Sequence, residues 1–223
     1  MKLTTTKKAA THVKALVYGR SGVGKTTICA TMPNPVIISA ESGTLSIMDD
    51  DIPMIEVYSL GDLYEALEYL KKKKVKKMFD SICLDSITDI AETVLSDAKS
   101  EFKDARQAYG STNDEMMKLI KKFRDLKGYH VLMTAKVATN DDGEHFPAMP
   151  GKKMTQDIGY FFDEVFALRV WEDDEEEEES KRVRYLQTDI SMYWDAKDRS
   201  GKLKFREKPD MKSIIKKILT GKR

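Results

Sequence analysis

The sequence predicts an α/β fold: a mostly parallel central sheet flanked by helices, with an antiparallel hairpin at its C-terminal edge. Three observations predict it. Short apolar runs alternate with longer amphipathic ones, the pattern of successive β–α units. The stretch GRSGVGKTT, residues 19–27, lies between an apolar strand, VKALVY, and the opening of a helix, TICATM. Two later apolar runs, PVIISAESG and SICLDS, each deliver a carboxylate near their end, at the edge where open α/β sheets bind ligands.

Strands are expected at 13–18, 35–40, 54–58, 79–85, 130–136, 164–171 and 182–188. Helices are expected at 25–32, 61–74, 87–103, 113–127, 154–161 and 210–219. The first strand is the apolar run ahead of the glycine-rich loop, and the first helix starts at the loop's lysine. Leu63, Leu67 and Leu70 give the second helix its buried stripe, and Lys71 to Lys74 at its end complement the helix dipole. The acidic run WEDDEEEEES, 171–180, reads as the solvated tip of a hairpin joining the last two strands.

At 223 residues the chain fits one such unit, 1–223, with an N-terminal arm at 1–12, an acidic hairpin tip at 172–181 and a basic helical tail at 202–223. Lys and Arg total 38 against 37 Asp and Glu, so no global basic character announces nucleic acid. Two cysteines, Cys29 and Cys83, lie inside apolar segments and offer neither a disulfide framework nor zinc spacing. The first residues lack an apolar signal region, and nowhere do 18 apolar residues run together. A cytoplasmic protein with no membrane partner is expected.

The loop matches G-x-x-x-x-G-K-[ST] with Gly19, Gly24, Lys25 and Thr26 in register, and its strand–loop–helix context is what that motif requires. Backbone N–H groups of Gly19, Arg20, Ser21, Gly22, Val23, Gly24, Lys25, Thr26 and Thr27 are expected to cradle the phosphates of ATP. Lys25 is placed for the β- and γ-phosphates, and the Thr26 hydroxyl for Mg²⁺, with Asp85 behind the metal. Two strands, PVIISAE and MIEVYS, intervene in the chain between cradle and Asp85. An intervening strand marks the P-loop class that carries a catalytic glutamate. Glu41, at the end of the first strand after the cradle helix, is the candidate general base, with a turn cap as its other reading. Thr134 is the first polar residue late in HVLMTAK. It suits either a γ-phosphate sensor or a structural threonine.

These residues together resemble the RecA-like P-loop ATPases, most closely the single-domain phage recombinases often labelled phage nucleotide-binding proteins (Sak-type, AAA-ATPase-like). GRSGVGKTT, PVIISAESG, SICLDS, MPGKKMTQDIGYFFDEVFAL and the late AKDRSG carry the likeness, across residues 13–201. The resemblance implies an ATPase that binds single-stranded DNA and anneals or pairs homologous strands in a phage-infected or prophage-carrying bacterial cell. It implies a homo-oligomer, ring or filament, with active sites at subunit interfaces, and possible cooperation with a single-strand-binding protein. Two segments would grip DNA: 137–154, with Phe146, Lys152 and Lys153, and 103–113, with Arg106 and Tyr109. Both also read as ordinary surface loops. Lys197 and Arg199 would reach the γ-phosphate of the next protomer as trans-acting fingers, or form a plain surface ion-pair cluster. The twelve residues ahead of the first strand hold no Phe, Tyr or Trp, so assembly would use other surface. Two further classes stay open: a RecA-like ATPase acting on protein partners without DNA, and a small-molecule kinase.

Overall fold

The computed structural model describes residues 3, 5, 11–41, 43–172 and 182–221. Among the described residues ten strands form one sheet, eight of them side by side in the order β10-β8-β7-β1-β5-β4-β2-β3. Their ranges are β1 Lys14–Gly19, β2 Pro35–Ser39, β3 Met54–Glu56, β4 Ser81–Asp85, β5 His130–Thr139, β7 Glu164–Glu172, β8 Arg182–Gln187 and β10 Arg206–Glu207. β7, β1, β5, β4, β2 and β3 are parallel neighbours, whereas β8 pairs antiparallel with β7, and β10 antiparallel with β8. Two short strands complete the fold: β6, His145–Pro147, folds back on β5, and β9, Lys197–Asp198, pairs with the start of β7. The intervening strand is real, but its identity comes from space and not from chain order. It is β5, which lies between β1 and β4.

The register aligns the strand ends that matter. Gly19 pairs with Lys136, and Ser39 pairs with Asp85. Loops leaving β1, β2, β4 and β5 therefore meet along one edge of the sheet.

Period-two alternation covers both faces of the sheet. Leu16, Tyr18, Ile82, Leu84, Val131 and Met133 enter one apolar layer, while Ala15, Val17, Cys83 and Leu132 enter the other. The first layer is covered by α2 (Leu60–Lys71), α3 (Ile87–Glu101) and α4 (Ala105–Arg124), the second by α1 (Lys25–Ala30) and α6 (Met211–Thr220). Ser59 caps α2 by accepting from Asp62 N–H, and Asp210 caps α6 by accepting from Ser213 N–H. Each such cap stabilises its helix by ~1 kcal/mol.

Two segments expected as loops are regular structure. Residues 105–113 form the first turns of α4, which Asp104 caps by accepting from Arg106 N–H. Gly110 and its Ser-Thr-Asn neighbours suggest a loop. The buried stripe Ala108, Thr112, Met116, Leu119, Ile120 and Phe123 outweighs the ~1 kcal/mol that a helical glycine costs. Segment 137–154 is a β5–β6 hairpin, Val137 opposite Pro147, leading into α5 (Lys152–Asp157). At the C-terminal edge β7 and β8 form the expected hairpin, closing on Glu172 opposite Arg182. Its acidic tip, 173–181, lies outside the described residues, as do 222–223 and all of the arm 1–12 except residues 3, 5, 11 and 12. Among the described residues no helix is long and apolar enough to cross a membrane.

Candidate active site

The glycine-rich loop opens a cleft of about 460 Å³ at the aligned strand edge. Gly22 and Gly24 hold φ of 72° and 103°, a left-handed region that side chains resist. Gly19 is fixed by packing instead, since a Cβ there would lie 2.7 Å from the Leu168 carbonyl oxygen. Lys25 Nζ donates to the carbonyls of Gly19 and Arg20 at 3.2 and 3.0 Å. Burial lowers its pKa, against the opposing pull of Asp85, Glu41 and Asp89. Gly19, Arg20, Ser21, Gly22, Gly24, Lys25, Thr26 and Thr27 all line the cleft. Val23 does not: its side chain turns into the apolar layer under α1 and anchors the loop from below.

Behind the loop, Thr26 Oγ1 donates to Asp85 Oδ2 at 2.7 Å. The Thr134 hydroxyl donates to the other oxygen, Oδ1. Asp85 is thus held on both oxygens at the end of a wholly buried strand. Thr134 itself is fully buried and does not line the cleft. In this position it orients Asp85, and a γ-phosphate sensor would have to be another side chain. The β5 residues that do reach the cleft are Lys136 and Val137.

Glu41 stands on the cleft wall two residues past β2. Ser39 fixes that turn: its hydroxyl donates to the Glu41 carbonyl at 2.7 Å and accepts from Glu41 N–H at 3.2 Å. The carboxyl group shares a hydrogen bond with Asp89, which together with burial and the charge of Asp89 raises its pKa to about 7. Burial works to raise Asp89 as well, but hydrogen bonds from Glu41, Lys136 and Ser86 hold it below its ordinary value. Lys136 Nζ ties the group together, in contact with Asp89, 3.6 Å from Glu92 and 4.0 Å from Glu41. Asp89 and Lys136 escape sequence reasoning that looks only for strand-end carboxylates. One signal is visible: Ser86-Ile-Thr-Asp89 has capping-box spacing, and Ser86 does cap α3 by accepting from Asp89 N–H.

The remaining expected residues lie apart from the cleft. Lys197 and Arg199 sit by the N-terminal end of β7, where Val165 pairs with Lys197. That is the sheet edge opposite the cradle. Lys197 Nζ donates to the Gly159 carbonyl at 2.7 Å, and Arg199 pairs with Asp163 at 2.9 Å. The two cations therefore do not act together on their own cradle. Phe146 is half-buried on β6, and Lys152 and Lys153 are exposed at the start of α5. Arg106 is exposed on α4, while Tyr109 lies under Lys99, 5.7 Å from ammonium to ring centroid. Arg106 and Tyr109 lie on a helix and not on a loop.

Compared with known proteins, the chain matches the family model described as an AAA domain over residues 11–200. No curated protein matches it.

Proposed function

The chain belongs to this AAA-domain family of P-loop ATPases, and from that premise we propose that it hydrolyses ATP with Glu41 as general base. The observation that carries the reading is the pairing of Glu41, with a pKa of about 7, with the Thr26–Asp85 contact across one cleft. A base poised near the working pH combines the ionised form with useful basicity. Lys136 and Asp89 hold its carboxylate in place. Lys25 supplies positive charge for the β- and γ-phosphates, and the loop N–H groups orient them.

The donor set fits Mg²⁺. A hydroxyl backed by one carboxylate is what this ion uses beside phosphates, in place of a full protein cage. Thr26 would hold it with Asp85 behind, and bound Mg²⁺ would neutralise charge on the transferring phosphoryl group.

Glu41→Gln tests the role directly. The variant is expected to bind ATP like the parent and to lose turnover by ~10²–10⁴-fold, the usual worth of a general base. Hydrolysis at the parental rate would remove Glu41 from the mechanism.

The finer reading is a phage-type recombinase that couples this cycle to single-stranded DNA. Its support is positional. Lys136, tied to Glu41, lies on the same strand as the β5–β6 hairpin, which leads into exposed Lys152 and Lys153. Sequence-tolerant contacts to phosphate and base suit such a surface. Binding of labelled oligonucleotide with and without ATP separates this reading from an ATPase that acts on protein partners.

A further inference from the structure

We propose that Arg184 is a second cation of the nucleotide cradle, bound to the α- and β-phosphates on the flank away from Asp85 and Glu41. The proposal rests on the reading of the cleft as a nucleotide site.

Sheet order places the two flanks. β4, with Asp85, lies two strands from β1 on one side, and β8, with Arg184, lies two strands away on the other. At strand spacing that is about 10 Å either way. The β7–β8 hairpin overshoots the sheet edge. β7 pairs with β1 only as far as Tyr18 opposite Ala167, yet continues to Glu172. Arg184 pairs with Val170, two residues beyond the Leu168 that packs on Gly19, so it stands about 7 Å above the cradle's floor.

Alternation then decides which way it faces. Leu186, two residues on, enters the apolar layer shared by Ile28 and Cys29 of α1, so Arg184 projects on the α1 side of the sheet. Its Cδ and Nε both lie 3.7 Å from the point that a Cβ on Gly24 would occupy, a point that is itself 3.9 Å from Thr27 Cβ. The side chain lines the cleft. It is exposed, and it makes no hydrogen bond or ion pair among the described residues.

A guanidinium held beside the loop, with its donors unused among the described residues, is suited to a phosphate oxygen. Lys25, Thr26 and Asp85 mark the γ-phosphate and metal flank, so the Gly24–Thr27 flank is left for the phosphates nearer the ribose. Arg184 is thereby assigned to ground-state binding: it holds ATP and ADP alike.

The test is calorimetric titration of the full chain and of Arg184→Ala and Arg184→Lys with ATP, ADP and adenosine. Arg184→Ala should weaken ATP and ADP by a similar factor of about ten and leave adenosine unaffected, with Arg184→Lys recovering much of the loss. In turnover, KM for ATP should rise by that factor with kcat changed by no more than about twofold. Unchanged ADP affinity in Arg184→Ala overturns the assignment. So does an equal loss for adenosine, which would make Arg184 a base-stacking residue. Failure of the parent chain to bind either nucleotide would overturn the nucleotide reading of the cleft, a result distinct from both.

Discussion

The two edges of the sheet carry nearly the same chemistry with opposite outcomes. At the cleft edge Glu41 shares a proton with Asp89 beside Lys136. At the far edge Glu164 shares one with Asp198, near Lys197 and Arg199. The first pair is partly open to solvent and touched by a cation, and Glu41 rises only to about 7. The second is closed in. Glu164 is 1 % exposed, its Oε2 has no hydrogen-bond partner among the described residues, and burial with the Asp198 charge lifts it to about 9. Lys197 spends its ammonium on the Gly159 carbonyl. Carboxyl pairs are thus not catalytic by composition. Solvent and a neighbouring cation decide whether the shared proton can leave near neutral pH.

The comparison breaks if the far edge serves another copy's cleft. Arg199→Ala is then expected to bind ATP normally and to lose turnover by ~10³-fold or more, as for a finger supplied in trans. Mixing it with Lys25→Ala should restore partial activity, because some interfaces would join an intact cradle to an intact finger. No recovery, with parental turnover independent of protein concentration, would leave the Arg199–Asp163 contact a surface ion pair.

At the cleft edge, pH sharpens the contrast. As the proposed base, Glu41 would act only when ionised, so turnover should fall as pH drops through about 7, and level off above it. Asp89→Asn removes the like charge and the shared proton. The acid limb should move toward the ordinary glutamate value of 4.5, with a change of about tenfold in rate one unit below the parental midpoint. An unmoved limb would mean that Asp89 does not set the Glu41 proton.

Smaller effects are expected where charge is merely exposed. Lys152→Ala with Lys153→Ala should weaken single-stranded DNA binding and flatten the slope of log K against log salt by ~0.7 per lysine. An unchanged slope would favour the protein-partner reading.

The smallest effect on turnover belongs to the buried pair. Glu164 keeps its proton in the fold up to about pH 9, whereas the unfolded chain releases it near 4.5. Stability from this group is therefore complete below the unfolded value and is lost as pH climbs through the folded one. Glu164→Gln mimics the protonated form at every pH. Its Tm should match the parent near pH 5 and exceed it by roughly ten degrees or more near pH 9, with ATP turnover at pH 7 little changed. Parallel Tm curves would show that Glu164 is ionised in the fold.

Local patterns made much of this molecule legible in its sequence. The cradle could be read because its glycines, lysine and threonine work through backbone and spacing alone. The strands could be read because both faces of a parallel sheet are buried, which leaves near-continuous apolar runs. Asp85 and Glu41 follow from strand ends, since a parallel sheet gathers those ends at one edge.

Other features were decided only by tertiary structure. Gly110 lies in a helix because Ala108, Thr112 and Met116 find a core to bury against, and burial is a property of neighbours. Thr134 faces Asp85 and not the cleft because β5 inserts between β1 and β4 and continues past it, bringing Lys136 to the edge instead. Arg184 reaches Gly24 across some 160 residues of chain only because an antiparallel hairpin overshoots the sheet beside the cradle. The sequence by itself determined which residues could bind phosphate. Strand order determined which of them meet, because side chains distant in sequence interact only when the sheet sets their strands a few ångströms apart.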